Sequence, residues 1–246
     1  MTQQFYVSPE QMMKDRADFA RKGIARGRSV VVISCAEGIA LVAENPSPSL
    51  HKIGEIYDKI AFAAVGKYNE FESLRQAGVR YADVRGYSYD REDVTARGLA
   101  SVYAQSLGAV FTAEQKPFEV ELAVAEVGRN QGEDHLYRLT FDGSIADAYG
   151  FVVMGGQAET VAEAVGGSWD ASAGFAGTIR RAVAALGLGT PAAAGEQVGA
   201  PTKSPAGSLE VAVLDRDSET NRGVKRAFRR LSERDILGLL AEEAAG

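Results

Sequence analysis

Strand and helix patterns follow one another in blocks along this chain, and that order limits the folds open to it more than any single motif does. The first block is a hairpin. "VVVIS" and "IALVA", both rich in β-branched residues, flank Glu37-Gly38, a two-residue turn signal. A third apolar run, "IAFAAVG", follows at 60–66. A helix pair comes next: "YNEFESLRQAG", read as short and closed by Gly78, then a longer helix between Asp93 and Gln115 with Leu99, Val102, Ser106 and Val110 on one face. Strands return at 118–127 and 135–143, joined by the polar loop "GRNQGED", and "FVVMGG" runs into helices expected at 160–165 and 173–186. "SLEVAVLD" and "KRAFRRL" read as paired strands, and Ser232 with Asp235 caps a last helix. Strands, two helices, strands, two helices and strands again cannot be a regular βαβ winding. The order suits two stacked antiparallel sheets flanked by helix pairs, an α+β fold in four α/β/β/α layers.

One feature stands outside this scheme. In "SPEQ", Ser8 is placed to cap a helix, Pro9 suits its first turn and Gln11 completes a capping box. Met13, Ala17, Ala20 and Ile24 then recur at helical spacing, so a helix of about four turns is expected from Pro9 toward Ala25, ahead of the first strand.

At 246 residues the chain fits one large domain better than two. A net charge of -6 argues against a general nucleic-acid or anionic-membrane surface. A single cysteine forbids an internal disulfide. With no signal-like start and no apolar run of membrane-spanning length, a cytoplasmic protein is expected. Residues 187–207, almost all small or turn-forming, read as a mobile loop.

Candidate chemistry is sparse. Cys35 shares a strand face with Val31 and Ile33 and reads as a small core residue rather than a nucleophile. His51 and His135 belong to no metal-ligand spacing, and no metal or cofactor is expected. "VVMGGQAET" could place a phosphate at a helix N-terminus, but it lacks GxGxxG and GK[ST]. Lys225, Arg226, Arg229 and Arg230 form a basic cluster read as a solvated edge. Lys52, after the turn-rich "ENPSPSL", reads on pattern alone as an exposed lysine.

The segments "FYVSPEQMMKDRADFARKGIARG", "AEGIALVAENPSPSLHKI" and "VGKYNEFESLRQAGVRYADVRGYSYDREDVTARGLASVYAQSL" carry a resemblance, and "KPFEVELAVAEVG", "LYRLTFDGSIADAYGFVVMGG" and "SLEVAVLD" continue it. In order and spacing the chain resembles the α-type subunits of the bacterial 20S proteasome across nearly its whole length. The resemblance implies the N-terminal-nucleophile hydrolase sandwich. In the related β-type subunits a threonine freed by processing begins the first strand. Here the matching start falls near Arg28, followed by Ser29, and Thr2 is the only threonine in the first ninety residues. An arginine cannot attack. Glu44 and Lys52 fall roughly where the acid and lysine of that constellation would lie.

The resemblance therefore implies a non-catalytic subunit in a single domain over 8–246, with its first helix over 8–26 packing between neighbours in a seven-membered ring. Its partners would be further copies of itself, β-type subunits in a four-ring core, and an AAA ATPase ring. The ATPase tails would dock at Lys52 and deliver tagged substrates. Thr2, Gln3, Gln4, Phe5, Tyr6, Val7, Ser8 and Pro9 would form the gate, with Pro9 at the turn that couples docking to gate movement. The tyrosine-aspartate pair of archaeal and eukaryotic gates is not evident in "MTQQFYV". Two rivals stand beside this reading. One is a self-processing hydrolase cleaved before Ser29 or using Cys35. The other is a small-ligand domain built on the Gly155-Gly156 turn.

Overall fold

The computed structural model describes residues 8–187, 205–218, 220–221 and 224–241. The segment 1–7, and 188–204 of the stretch expected to be a mobile loop, lie outside the described residues. In chain order the elements are α1 (Pro9–Ile24), β1 (Val30–Cys35), β2 (Gly38–Glu44), β3 (Ile53–Tyr57), β4 (Ile60–Gly66), α2 (Tyr68–Ser88), α3 (Ala96–Ala113), β5 (Val120–Glu126), β6 (His135–Leu139), β7 (Ile145–Ala148), β8 (Phe151–Met154), α4 (Ala158–Ser168) and α5 (Phe175–Ala185). They continue with β9 (Leu209–Asp215), β10 (Thr220–Asn221), β11 (Val224–Lys225), β12 (Phe228–Arg230) and α6 (Glu233–Ala241).

Two five-stranded antiparallel sheets, ordered β12-β9-β2-β1-β8 and β3-β4-β5-β6-β7, face each other. Strand alternation divides the core into layers. Val30, Val32, Leu41 and Leu214 of the first sheet meet Ala61, Ala63, Ala123 and Ala125 of the second. On the outer face of the second sheet, Ile60, Phe62 and Leu122 pack under Leu99, Tyr103 and Leu107 of α3 and Phe71 of α2. On the outer face of the first, Val31, Ile33 and Val213 pack under Val161, Ile179, Val183 and Ile236 of α4, α5 and α6. The four α/β/β/α layers expected from the element order are these.

The hairpin forms in the expected register, with Cys35 opposite Gly38. Its turn is tied into the helical layer, because the Phe175 amide at the start of α5 donates to Glu37 Oε2 at 2.5 Å. Cys35 is fully buried, and burial raises its thiol pKa, as suits a core residue. At the chain's last helix Ser232 and Asp235 cap each other reciprocally, the Ser232 amide donating to Asp235 Oδ2 at 2.9 Å and the Asp235 amide to Ser232 Oγ at 3.3 Å.

Three details differ from expectation. Gly78 does not close α2, which runs ten residues further to Ser88. A Cβ at Gly78 would lie 1.8 Å from Tyr103 Oη, so this glycine is the notch that seats a tyrosine of α3 rather than a terminator. The buried stripe of α3 is accordingly Leu99, Tyr103 and Leu107, while Ser106 is exposed. The strand expected over 135–143 ends at Leu139, because the Gly143 amide donates to Thr140 O at 2.9 Å and turns the chain back so that β7, beyond the expected segment, pairs with β6.

Candidate functional site

One end of the sandwich gathers the residues that the sequence marks out. Ser8 caps α1 by accepting the Gln11 amide at 3.2 Å, with Pro9 at the first turn. The capping box is only half made, because Gln11 Nε2 turns forward to Asp15 Oδ1 at 2.7 Å. Down the helix, Ala20 and Ile24 are buried in the layer between the sheets, with Ala17 packed against them, so α1 closes this end of the cleft. Arg16 fastens the helix to the C-terminus of α3 by donating to Phe111 O at 2.7 Å.

The chain leaves α1 through Ala25–Gly27 and enters β1 at Arg28 and Ser29 without interruption. Ser29 is buried, and its carbonyl accepts the Glu44 amide at 3.1 Å. The Arg28 guanidinium, half exposed, forms an ion pair with the Glu44 carboxylate. Lys52 Nζ donates to Arg28 O at 2.8 Å. The structure thus brings Arg28, Glu44 and Lys52 together, from the approach to β1, from β2 and from the approach to β3. Burial, countered by the charges of Glu44 and Glu210 and reinforced by Arg28, lowers the Lys52 pKa to about 8. Chemically, the cluster offers an ammonium of weakened charge and a pair of neutralised side chains. Its first residue has neither a hydroxyl nor a free amine, and activation of an N-terminal nucleophile needs both.

The Gly155-Gly156 turn belongs to the same end and lines, with the start of α4, an open groove of about 860 Å3 that also carries Glu121 and Glu159. A Cβ at Gly156 would lie 2.1 Å from Ala25 O, and one at Gly155 would lie 2.9 Å from Ser29 Cα. The α1–β1 connection packs against both glycines, so close backbone approach accounts for them. His51 is half exposed with Nδ1 3.3 Å from Glu210 Oε1, and His135 is exposed beside Tyr137. Among the described residues no three His, Cys, Asp or Glu side chains are grouped to hold a metal, and no helix is long and apolar enough to cross a membrane.

The basic cluster keeps Arg226 and Arg229 exposed, and two of its arginines are paired. Arg226 makes a bidentate pair with Glu55, and Arg230 pairs with Glu210. Glu210 itself is the residue that sequence reasoning missed. Its position on β9 places it with Ala212 and Leu214 on the face between the sheets, where a carboxylate needs partners. That alternation was the available signal. Beside the C-terminal end of α3, α1 leaves Met12 (42%) and Phe19 (48%) exposed in a groove of about 710 Å3 with Arg16, Lys116 and Pro117.

Comparison with known proteins accords with this architecture. A family profile described as "Proteasome subunit" matches residues 24–187. The chain is 79% identical over 243 residues to proteasome subunit alpha of Arthrobacter sp. (strain FB24), covering 99% of this chain and 100% of the relative. It is 78% identical to the protein of that name from Pseudarthrobacter chlorophenolicus, over 98% of this chain and 100% of the relative. The Renibacterium salmoninarum protein of the same name is 74% identical over 100% of this chain and 98% of its own length. With its sandwich, its interrupted first-strand constellation and this full-length likeness to alpha-type actinobacterial proteins, the chain belongs to the proteasome subunit family.

Proposed function

We propose that this chain is a non-catalytic subunit of the outer ring of a 20S proteasome in the bacterial cytoplasm. It closes into a seven-membered ring, stacks on β-type subunits that carry the peptidase sites, and controls entry to their chamber. One observation carries the reading. The position where a nucleophile would start the first strand is held by Arg28, inside an unbroken chain and paired to Glu44, while Ala20 and Ile24 of α1 fill the adjoining cleft. The same observation counts against self-processing before Ser29, whose buried backbone is part of the β1–β2 ladder.

The ring contact is the exposed apolar face of α1. Met12 and Phe19 would bury their side chains against a neighbouring copy, and such head-to-tail contacts close into rings when the rotation between copies allows. Lys52 receives the carboxylate of an activating ATPase's C-terminal tail. A half-buried ammonium without an ion-pair partner among the described residues gains more from an incoming anion than a solvated one does. Residues 2–9 form the gate, with Ser8 and Pro9 anchoring it to α1.

The test is native mass spectrometry and fluorogenic peptide hydrolysis on this chain alone and with a β-type partner. Expected are an unprocessed, inactive chain alone and activity only in a four-ring particle. A chain that loses its first residues and cleaves peptide alone overturns the proposal. Deletion of residues 2–7 in the particle raises peptide hydrolysis, and Lys52→Ala lowers ATPase-stimulated protein degradation. Unchanged rates in either case remove the corresponding role.

A further inference from the structure

The Lys52 site has a support of its own on the other sheet. Glu210 of β9 is 7% exposed, and both of its oxygens are occupied. Oε2 accepts the Lys52 amide at 2.8 Å and Asn45 Nδ2 at 2.8 Å. Oε1 accepts the Ile53 amide at 3.2 Å and the Arg230 guanidinium, with His51 Nδ1 at 3.3 Å. Arg230 also donates to Ile53 O at 2.6 Å, and Lys52 O accepts the Ala64 amide at 3.0 Å. The Lys52 backbone is thus pinned at its N–H by one sheet and at its carbonyl by the other. Asn45 extends the same hold to the preceding loop, donating to Leu50 O at 2.7 Å and accepting the Ser47 amide at 3.1 Å.

We propose that Glu210 is the positioning residue of the Lys52 site, fixing the lysine so that its ammonium presents to an incoming carboxylate. The inference rests on the docking role argued above. Protection of an edge strand would require only that the outward N–H and C=O of Ile53 be satisfied, which Oε1 and Arg230 achieve. Oε2 goes instead to the Lys52 amide and to the asparagine that ties down its loop. With the Lys52 Cα held, its ammonium reaches Arg28 O at 2.8 Å. Without the anchor, loop 45–51 and the ammonium occupy a spread of positions, and a ligand must order them on binding. Ordering one long side chain costs about two- to tenfold in affinity.

The test uses the assembled particle with the β-type subunit and two labelled tail peptides, one ending in a free carboxylate and one in a carboxamide. Glu210→Gln should weaken the carboxylate peptide about two- to tenfold and leave the carboxamide peptide unchanged. It should add no further loss on a Lys52→Ala background, because it acts through that lysine. Normal binding, equal weakening of both peptides, or a loss additive with Lys52→Ala overturns the positioning role. If Lys52→Ala alone binds the carboxylate peptide normally, the docking reading falls and this inference with it. If Lys52→Ala binds it weakly and Glu210→Gln binds it normally, only the inference falls. Should Glu210→Gln fail to assemble, Asn45→Ala decides: it loosens the loop while leaving Glu210 its arginine, and it should show the same selectivity for the free carboxylate. Equal binding to wild type would overturn the proposal.

Discussion

Lys52 Nζ lies 2.8 Å from the carbonyl oxygen of Arg28, and among the described residues it forms no ion pair. The nearby carboxylate of Glu44 is taken by the Arg28 guanidinium. The lysine is left with a single neutral acceptor.

A pH dependence follows. Burial disfavours the ammonium and brings its pKa to about 8, so the empty site loses its proton near that pH. A bound carboxylate favours the charged form and moves the pKa back up. If Lys52 receives the tail as proposed, docking should take up a proton as pH rises above about 8, and affinity should fall by at most about tenfold per pH unit until the ordinary lysine range is reached. Tail-peptide binding measured from pH 6.5 to 9.5, with calorimetry in two buffers of different ionisation enthalpy, checks both statements. Lys52→Arg should remove the decline, because guanidinium stays protonated throughout. A flat profile in the wild type would show that Lys52 is not the group that meets the tail.

Between α2 and α3, the Tyr103 hydroxyl is buried against Gly78 without a hydrogen-bond partner among the described residues. Gly78→Ala gains helix propensity of about 1 kcal/mol but drives a methyl into the phenol, and a net loss of about 1–3 kcal/mol is expected. Tyr103→Phe removes an unsatisfied polar atom and should be neutral or stabilising by about 1 kcal/mol. Chemical denaturation of the two single variants and the pair should show strong coupling, with Gly78→Ala tolerated once the hydroxyl is gone. Additive effects would mean the notch is not what the glycine serves.

The opposite end of the sandwich is closed by a buried ion pair. Arg216, after β9, meets Asp134 at 2.7 Å, and Asp134 also accepts Ser34 Oγ at 2.6 Å and the Gly128 amide at 2.9 Å. Removing one partner strands a buried charge. Asp134→Ala should cost about 3–5 kcal/mol, measured by denaturant titration, while Asp170→Ala at the exposed pair Arg181–Asp170 should cost far less. Equal effects at the two sites would contradict the argument from burial.

The sequence made the layer order legible because strand alternation and helix period record which faces are apolar, and α1 legible because Ser8 and Pro9 begin it and Ala20 and Ile24 repeat on one side. It could not separate a glycine that ends a helix from one that seats a tyrosine, since Gly78 and its partner Tyr103 are distant in the chain. The turn at Asp142-Gly143 carried its own signal and was readable. Glu210 was visible only as a carboxylate at an inward strand position. Its meaning depends on Lys52, 158 residues away, and on Arg230 across the sheet. Arg28, Glu44 and Lys52 could be matched to a constellation by resemblance, but that Arg28 occupies Glu44 and leaves Lys52 without an ion pair among the described residues is a property of the folded chain.

Replacing Arg28 should not confer catalysis. Arg28→Thr would supply a hydroxyl at the head of β1, and Lys52 would remain within reach of the backbone there. The threonine nitrogen would still be in a peptide bond to Gly27, so the amine that such a nucleophile uses as its base would be missing. Substrate would also meet Ala20 and Ile24 where the cleft must open, and freeing the amine would mean cutting away the helix that buries them. Arg28→Thr in the isolated chain is therefore expected to hydrolyse fluorogenic peptides no faster than buffer, with intact mass unchanged. Turnover accompanied by loss of the first 27 residues would show that one side chain is all that separates this subunit from an active one.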